Sequence, residues 1–560
     1  MSAPHTESPQ TDPITVEVIR NKLDGISNEM HWTLLSSSFS PIVKEGMDAS
    51  AGLFMANGAS LSQAHAIPAH LGALIPCIAT ILRRFPVAGM RPGDAYCMND
   101  PYDGGAHVPD IALLIPVFVN DRVIALSATM SHHQDMGGMT PGSLPTNATD
   151  IYQEGVVIPP VKLIDQGVYN DTFVSMMRAN IRLPDIFMGD LNAQVAAARV
   201  GARRLGELAT SFGPGITDVF DLLLDRSETL TRQAITALPD GVYRSVDIMD
   251  NDGLDLDRRI RIEVAVIIEG SDITVDFTGT SDQVRGPFNS SPAATMAAVY
   301  YAIRAITGSD IPTNAGCFRP VHLVLPPSSF VNPSRPAPLN GRSIAAKLIG
   351  NNVIGALASV TPDRVKGYNG SQHILVFSGE REDGRPFVVT ETIAAGTGAH
   401  LHGDGVDMLE SDVANGMNMP SEAMEMDFPI RVERFDLRPD SGGAGEHRGG
   451  LGCTRVYLAL RDNIGFVHRG QHHYGGPRGI AGGGHGGAAR TVIQCTDGTI
   501  EVIPSKMTGK LNAGDRLILQ TPGAGGFGDP RRRPRDLVRA DVADGRVSAE
   551  QARDIYGLAD

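Results

Sequence analysis

The chain has 560 residues, 42% of them apolar, which is enough to build several domains or one large composite core. Its 48 lysines and arginines against 63 aspartates and glutamates leave a formal charge of −15, which argues against nucleic acid or an anionic membrane as the main partner. Five cysteines (77, 97, 317, 453 and 495) occur singly, so neither a zinc ribbon nor a disulfide framework is expected, and a reducing cytoplasm fits.

Residues 1–12 read as a disordered lead, polar and without the apolar core of a signal peptide. The longest strongly apolar stretch is about nine residues, well short of the roughly 20 a membrane helix needs. Asp12-Pro13 marks a helix start, and Ile19, Leu23, Ile26, Met30 and Leu34 follow at helical spacing as a core stripe. Lys44 to Ser50 leads into a short hairpin with Asn57-Gly58 as its turn, and Pro68 to Arg84 reads as a helix. A helical stretch near 183–237 is one helix or two. From Asp240 the texture changes to strands at 243–249, 259–268 and 273–277, an antiparallel unit, with helices at 292–307 and 344–359. The last third is rich in glycine, and two short helical segments close the chain. The mixture reads as α+β, divided into a metal-site region at 13–240, a mixed α+β region with glycine-rich loops at 241–530 and a helical tail at 531–560.

The richest chemistry lies in one hairpin. Ile111 to Val119 is an apolar run, Asn120-Asp121 is a two-residue turn signal and Arg122 to Ser131 returns as a second strand. His107 and Asp110 stand at one open end, and Ser131-His132-His133-Gln134-Asp135 at the other. If Val119 pairs with Arg122, Asp110 faces Ser131 beside His132, and neighbours across such a pair have Cβ atoms roughly 4.5–5.5 Å apart. Pro116 inside the strand implies an edge or a bulge, and a slip of one residue favours His133 over His132. An isolated His-x-x-Asp pair is more often structural. Here, Asn99-Asp100-Pro-Tyr-Asp103-Gly-Gly before the hairpin and Gly137-Gly138 after it let backbone and substrate approach closely, and a divalent metal site is the expectation. Asp135, Asp100, Glu154 and His133 are the candidates for general base or orienting group; each acid in a glycine-rich loop also serves well as a loop cap.

The glycine clusters carry no nucleotide-binding signature. Gly509-Lys510 is followed by Leu511, where a phosphate loop needs serine or threonine, and Gly443-Ala-Gly445-Glu-His-Arg448 fails the dinucleotide pattern at its sixth position. Tight turns and close backbone packing are expected for nearly all of them. The basic run Arg531-Arg532-Arg533-Pro-Arg535 reads as a solvated face pairing with nearby acids.

Taken in order, the motifs Lys44-Glu45-Gly-Met-Asp48-Ala-Ser50, Asn99 to Asp110, His132-His133-Gln-Asp135-Met-Gly-Gly, Ile151-Tyr-Gln-Glu154-Gly, Asp440-Ser-Gly-Gly-Ala-Gly, Arg448-Gly-Gly-Leu-Gly and Thr521 to Pro530 resemble the hydantoinase B/oxoprolinase family, which includes acetone and acetophenone carboxylase subunits. The resemblance spans roughly residues 13–557, departing at Ala49, where an aromatic is usual, and at Gln134, where a small residue is common. It implies a metal held by two aspartates and two histidines, at Asp48, His107, Asp110 and His132 here; Asp48 enters the set only through the resemblance. It further implies a hetero-oligomer with a hydantoinase A-type ATP-binding subunit that uses Mg-ATP to phosphorylate a small cyclic amide, which the B-type chain then hydrolyses. Imidazole and carboxylate ligands suit Mn, Zn or Fe. A ketone carboxylase subunit and a non-catalytic scaffold for the ATPase partner are the competing expectations.

Overall fold

The computed structural model describes residues 12–410 and 412–558; of the expected lead, only Asp12 lies within them. Helix α1 (Pro13–Ser37) begins where the Asp12 carboxylate accepts a hydrogen bond from Thr15 N at 3.2 Å and Pro13 fills the first turn, where no N–H is needed. Its stripe Ile19, Leu23, Ile26, Met30 and Leu34 is buried, as the spacing predicts. The short α2 (Pro41–Lys44) then leads through Asp48 into the first sheet.

That sheet has seven strands: β1 (Ala49–Met55), β2 (Ser60–Gln63), β3 (Ala95–Met98), β4 (Asp110–Val119), β5 (Arg122–His132), β6 (Val161–Asp165) and β7 (Val168–Tyr169). They lie in the order β2-β1-β5-β4-β3-β6-β7, antiparallel throughout. Helix α3 (Pro68–Arg84) packs Leu74, Ile78 and Ile81 onto Ala112, Leu114 and Met130 on one face. Helices α4 (Asp171–Asn180), α5 (Pro184–Phe212) and α6 (Ile216–Thr236) follow, and α5 sets Leu191, Val195 and Ala198 against Ile111, Leu113 and Ile115 on the other face. With helices on both faces, β4 reads as a continuous apolar run rather than an alternating one. The stretch 183–237 is two helices, broken at Gly213 (φ 98°) and Pro214.

A second sheet holds β8 (Gly241–Met249), β9 (Ile260–Glu269), β10 (Asp272–Asp276) and β11 (Val321–Val324), covered by α7 (Pro292–Thr307) and α8 (Arg342–Ala356). The expected antiparallel unit is β8-β9-β10; β11 adds to β10 in parallel, a pairing no local signal announces. Helix α8 begins and ends earlier than the expected 344–359, which puts Arg342 in its first turn. Helices α3 and α7 touch at Gly72, where a Cβ would come within 2.4 Å of the Ala297 methyl.

The remaining strands, β12 (His373–Glu380), β13 (Pro386–Ile393), β14 (Ile430–Leu437), β15 (Cys453–Ala459), β16 (Ile464–Arg469), β17 (Arg490–Gln494), β18 (Ile500–Ile503), β19 (Lys506–Leu511) and β20 (Arg516–Gln520), form two sheets of order β13-β12-β16-β19 and β14-β15-β20-β17-β18. Helix α9 (Ser421–Asp427) joins them, and Leu375, Phe377, Val389, Tyr457 and Leu519 form the core between them. The glycine-rich loops do pack backbone on backbone: a Cβ on Gly398 would stand 1.7 Å from the Gly367 carbonyl oxygen. Helices α10 (Arg535–Ala543) and α11 (Ala549–Asp554) end the described chain. One expectation for the basic run is corrected: Arg533 is buried between Asp404 and Asp541 and ties the tail to the glycine-rich loops instead of facing solvent. All five cysteines are free, and no helix among the described residues is long and apolar enough to cross a membrane.

Candidate metal centre

The β4–β5 hairpin turns at Asn120 and Asp121, both with positive φ (49° and 58°), as a two-residue turn requires. Its register slips between Val117, paired with Ala125, and Phe118, paired with Val123, so that Ile124 is the extra residue beside Pro116. The slip sets Asp110 directly opposite His132. The expectation that a slip favours His133 is thereby corrected: directly paired residues share a face, and the next residue projects to the other. His133 turns away, its Nε2 donating to Gln194 Oε1 at 2.9 Å and its ring 4.8 Å from that of Phe187. On the far side of β5, the ladder with β1 ends with His132 N donating to Asp48 O at 3.1 Å, which brings Asp48 alongside.

Three imidazoles converge on one carboxylate oxygen. Asp110 Oδ1 lies 2.8 Å from His107 Nε2, 3.2 Å from His132 Nδ1 and 3.5 Å from His70 Nε2. Asp48 approaches from the rim, 3.3 Å from His70 Nε2 and 4.0 Å from His132 Nδ1. One donor atom each from His107, Asp110 and His132 falls within a 4.8 Å group, and all three residues are buried. Arg342, from the first turn of α8, closes the other side by pairing with Asp110 Oδ2.

The protonation pattern leaves the His107 lone pair facing the centre. His107 Nδ1 lies 3.1 Å from the Asn340 carbonyl, which can only accept, so Nδ1 carries the proton and Nε2 is bare. Burial, reinforced by the Arg342 charge, pushes His107 down to about 3, so its ring is neutral at physiological pH. A bare Nε2 then faces a carboxylate oxygen at 2.8 Å, a repulsive contact that a shared cation relieves. Burial opposes ionisation of Asp110, but the Arg342 guanidinium and His70 beside it overcome this and hold its carboxyl well below the usual range. His132 Nε2 and His70 Nδ1 are buried with no hydrogen-bond partner. Imidazole nitrogens and carboxylate oxygens in this number suit a divalent ion of the Mn, Zn or Fe type.

Of the other acids singled out in the sequence, Asp135 is occupied with its own loop, accepting from the N–H groups of Gly137, Gly142 and Arg182 and pairing with the Arg182 side chain at 3.1 Å. Asp100 forms a two-oxygen pair with Arg335 at 2.6 and 2.7 Å. Neither reaches the cluster. Glu154 is indirectly connected: its Oε1 accepts from Leu339 N and Asn340 N at 2.9 and 2.8 Å, holding by its N–H the residue whose carbonyl orients His107. Sequence reasoning missed His70 and Arg342. Each sits in the first turn of a helix far from the hairpin in sequence, and no spacing rule relates them to Asp110.

With this geometry in place, comparison with known proteins is decisive. The sequence profile described as hydantoinase B/oxoprolinase matches residues 12–530. The chain belongs to the hydantoinase B/oxoprolinase family. Within it, a Pseudomonas sp. (strain NS671) protein provisionally named as the B component of a D-/L-hydantoinase is 34% identical over 577 residues, covering 100% of this chain and 97% of that one. The crystal structure of the ATP-dependent caprolactamase from Pseudomonas jessenii superposes with a TM-score of 0.90 at 30% identity, covering 98% of this chain and 97% of that one. The nucleotide-free structure of an acetone carboxylase shares the fold, with a TM-score of 0.92 at 19% identity over 98% of this chain and 80% of that one.

In this hydantoinase B/oxoprolinase chain the cluster opens on a cavity of about 50 Å³. Asp48, His70, His107, His132 and Arg342 form its polar end, Arg469 adds positive charge, Lys347 lines it paired with Glu410 at 3.5 Å, and Ile42, Ile67, Leu144, Ile374 and Val413 give it apolar walls. A site for one water takes on the order of 10–15 Å³, so the space suits a small molecule and not a chain. The cavity is bounded by the first sheet, α3, α8 and the β13-β12-β16 edge, so two of the four sheets and the helix layer over a third contribute to it.

Proposed function

We propose that this chain is the metal-dependent, B-type subunit of an ATP-dependent cyclic-amide hydrolase, acting on a substrate that an A-type partner has phosphorylated on its amide oxygen. The observation that carries this reading is the bare His107 Nε2 held 2.8 Å from the ionised Asp110, with His132 and His70 converging on the same oxygen. Asp48, His107, Asp110 and His132 would hold the ion, with His70 bridging Asp48 and Asp110 from α3. A divalent ion there supplies Lewis acidity, which can lower the pKa of water from 15.7 to about 7. The chain's own residues do the rest. Arg342 neutralises Asp110, the Asn340 carbonyl keeps the His107 proton on Nδ1, and Glu154 holds that carbonyl in place. The apolar walls exclude bulk water from the activated amide; one water adds to its carbon and the ring C–N bond breaks, the nitrogen leaving as an amine with a proton from that water, and a second water cleaves the resulting acyl phosphate to carboxylate and inorganic phosphate. The names of the hydantoinase and caprolactamase relatives, both of whole-chain extent, support the substrate class and the presence of a partner subunit.

The test is metal content by plasma mass spectrometry on wild type and His132→Ala, alongside turnover after mixing with the A-type partner and ATP. Near one equivalent of Mn, Zn or Fe in wild type, lost in the variant, together with opening of a hydantoin or lactam ring without bicarbonate, is the expected result. Turnover only of a ketone, and only with bicarbonate, would replace the hydrolase reading by the carboxylase one. Full ring opening by an Asp110→Ala complex would leave the chain a scaffold.

A further inference from the structure

Five arginines among the described residues are buried: Arg342, Arg448, Arg455, Arg469 and Arg533. Four of them meet a carboxylate. Arg342 pairs with Asp110, Arg448 with Asp407 at 3.2 Å, Arg455 with Glu391 at 3.0 Å and Arg533 with Asp404 and Asp541. Arg469, fully buried at the end of β16, has no ion pair among the described residues. Its Nη1 donates to Asn340 Oδ1 at 3.2 Å and its guanidinium lies 5.1 Å from the Phe288 ring centroid, but Nε and Nη2 are buried and have no partner. Those two N–H groups point the same way from one edge of the guanidinium, the edge that grips two oxygens of a carboxylate or phosphoryl group at once. Arg469 lines the same cavity as His107 and His132.

A buried charge without a partner is costly and is retained where something else completes it. The nearby Glu154 does not: it forms no ion pair with Arg469, its Oε1 is taken by two backbone N–H groups, its Oε2 is buried without a partner, and burial pushes its carboxyl up to about 8. Arg342 is already committed to Asp110, and its charge adds to the positive potential at this end of the cavity.

We propose that Nε and Nη2 of Arg469 form an oxyanion-binding subsite in the cavity that the His107–Asp110–His132 cluster lines, so that the substrate enters as an anion, through a phosphoryl or a carboxylate group. This rests on the cavity being the reaction site. Its small volume requires the anionic group and the reacting carbon to belong to one small molecule. A phosphoryl group is what activation by ATP would leave on the amide oxygen; a carboxylate would instead belong to the substrate ring itself.

The experiment is calorimetric titration of the purified full chain with inorganic phosphate and, separately, with acetate, before and after metal chelation, on wild type, Arg469→Gln and Arg469→Lys. Chelation separates binding at Arg469 from binding to a metal. Metal content measured on the same samples keeps a failure of the metal reading apart from a failure of this one. Chelated wild type is expected to bind one of the two anions, Arg469→Gln to bind it at least tenfold more weakly, and Arg469→Lys, which keeps the charge but loses the two-donor edge, to fall between. Tighter phosphate binding identifies the activated substrate as the source, and tighter acetate binding a substrate carboxylate. Equal binding by wild type and both variants, or no binding by chelated wild type, overturns the subsite. Should Arg469→Gln fail to fold, unchanged binding in Arg469→Lys overturns the two-donor grip by itself.

Discussion

His107 Nδ1 stands 3.1 Å from the carbonyl oxygen of Asn340, a residue 233 positions away in the chain, and this contact decides which nitrogen of the ring faces Asp110. A carbonyl cannot donate, so the proton stays on Nδ1 and the lone pair of Nε2 is held towards the centre. The same Asn340 offers its backbone N–H to Glu154 and its side-chain oxygen to Arg469, so one residue of the 339–341 loop couples the cluster, a buried acid and the cavity wall.

Asp110→Asn should lose both the metal and much of the stability. It leaves Arg342 as a buried charge without its partner, and breaking such a pair costs about 3–5 kcal/mol. Chemical denaturation of metal-free protein measures this apart from metal loss; a cost below about 1 kcal/mol would mean that Arg342 finds another partner or water.

His70→Gln tests a residue that only the fold reveals. His70 Nε2 lies within 3.5 Å of both Asp48 and Asp110, and residues that orient metal ligands typically contribute 10–100-fold in affinity. Competition with a chelator should show a loss of about that size. Unchanged affinity would make His70 a packing residue.

His133→Ala should separate the two adjacent histidines. It leaves Gln194 Oε1 without its donor beside the Phe187 ring, a change expected to cost about 1–3 kcal/mol while metal content stays at the wild-type level. Metal loss from a folded His133→Ala protein would contradict the observed register.

Glu154→Gln gives a pH signature. The Glu154 carboxyl is pushed up to about 8 by burial, against an unfolded value near 4.3. A carboxyl raised in the folded state favours folding fully below the unfolded value, and that advantage is lost as pH rises through the folded one. Wild type should therefore lose stability relative to Glu154→Gln between about pH 4.3 and 8, with a slope approaching 1.4 kcal/mol per pH unit. Unfolding curves of both proteins at pH 5, 6, 7 and 8 check this; a constant difference would show that Glu154 is ionised throughout.

The hairpin was legible from its residues alone, because an apolar run, an Asn-Asp turn and a returning strand are local features and their period places alternate residues on alternate faces. Its register was legible only to within one residue. Pro116 announced an irregularity, but the position of the extra residue, Ile124, decides whether His132 or His133 shares a face with Asp110. The helix over Pro68–Arg84 was also readable, yet the direction in which its first turn carries His70 was not, because that depends on packing against α7 through Gly72.

What the sequence determined by itself was therefore the local grammar: the long α1 stripe, the hairpin, the His107/Asp110 and His132 donor types, and the ordered motifs that mark the family. Only the tertiary structure decided that His70, Arg342 and Arg469 join Asp48, already placed by the family motifs, at one cavity, and that Asp100 and Asp135 do not. The physical reason is range. Turns, caps and periodicity act over a few residues, whereas a buried charge is placed by whichever distant element can satisfy it, as Arg342 does for Asp110 across 232 positions.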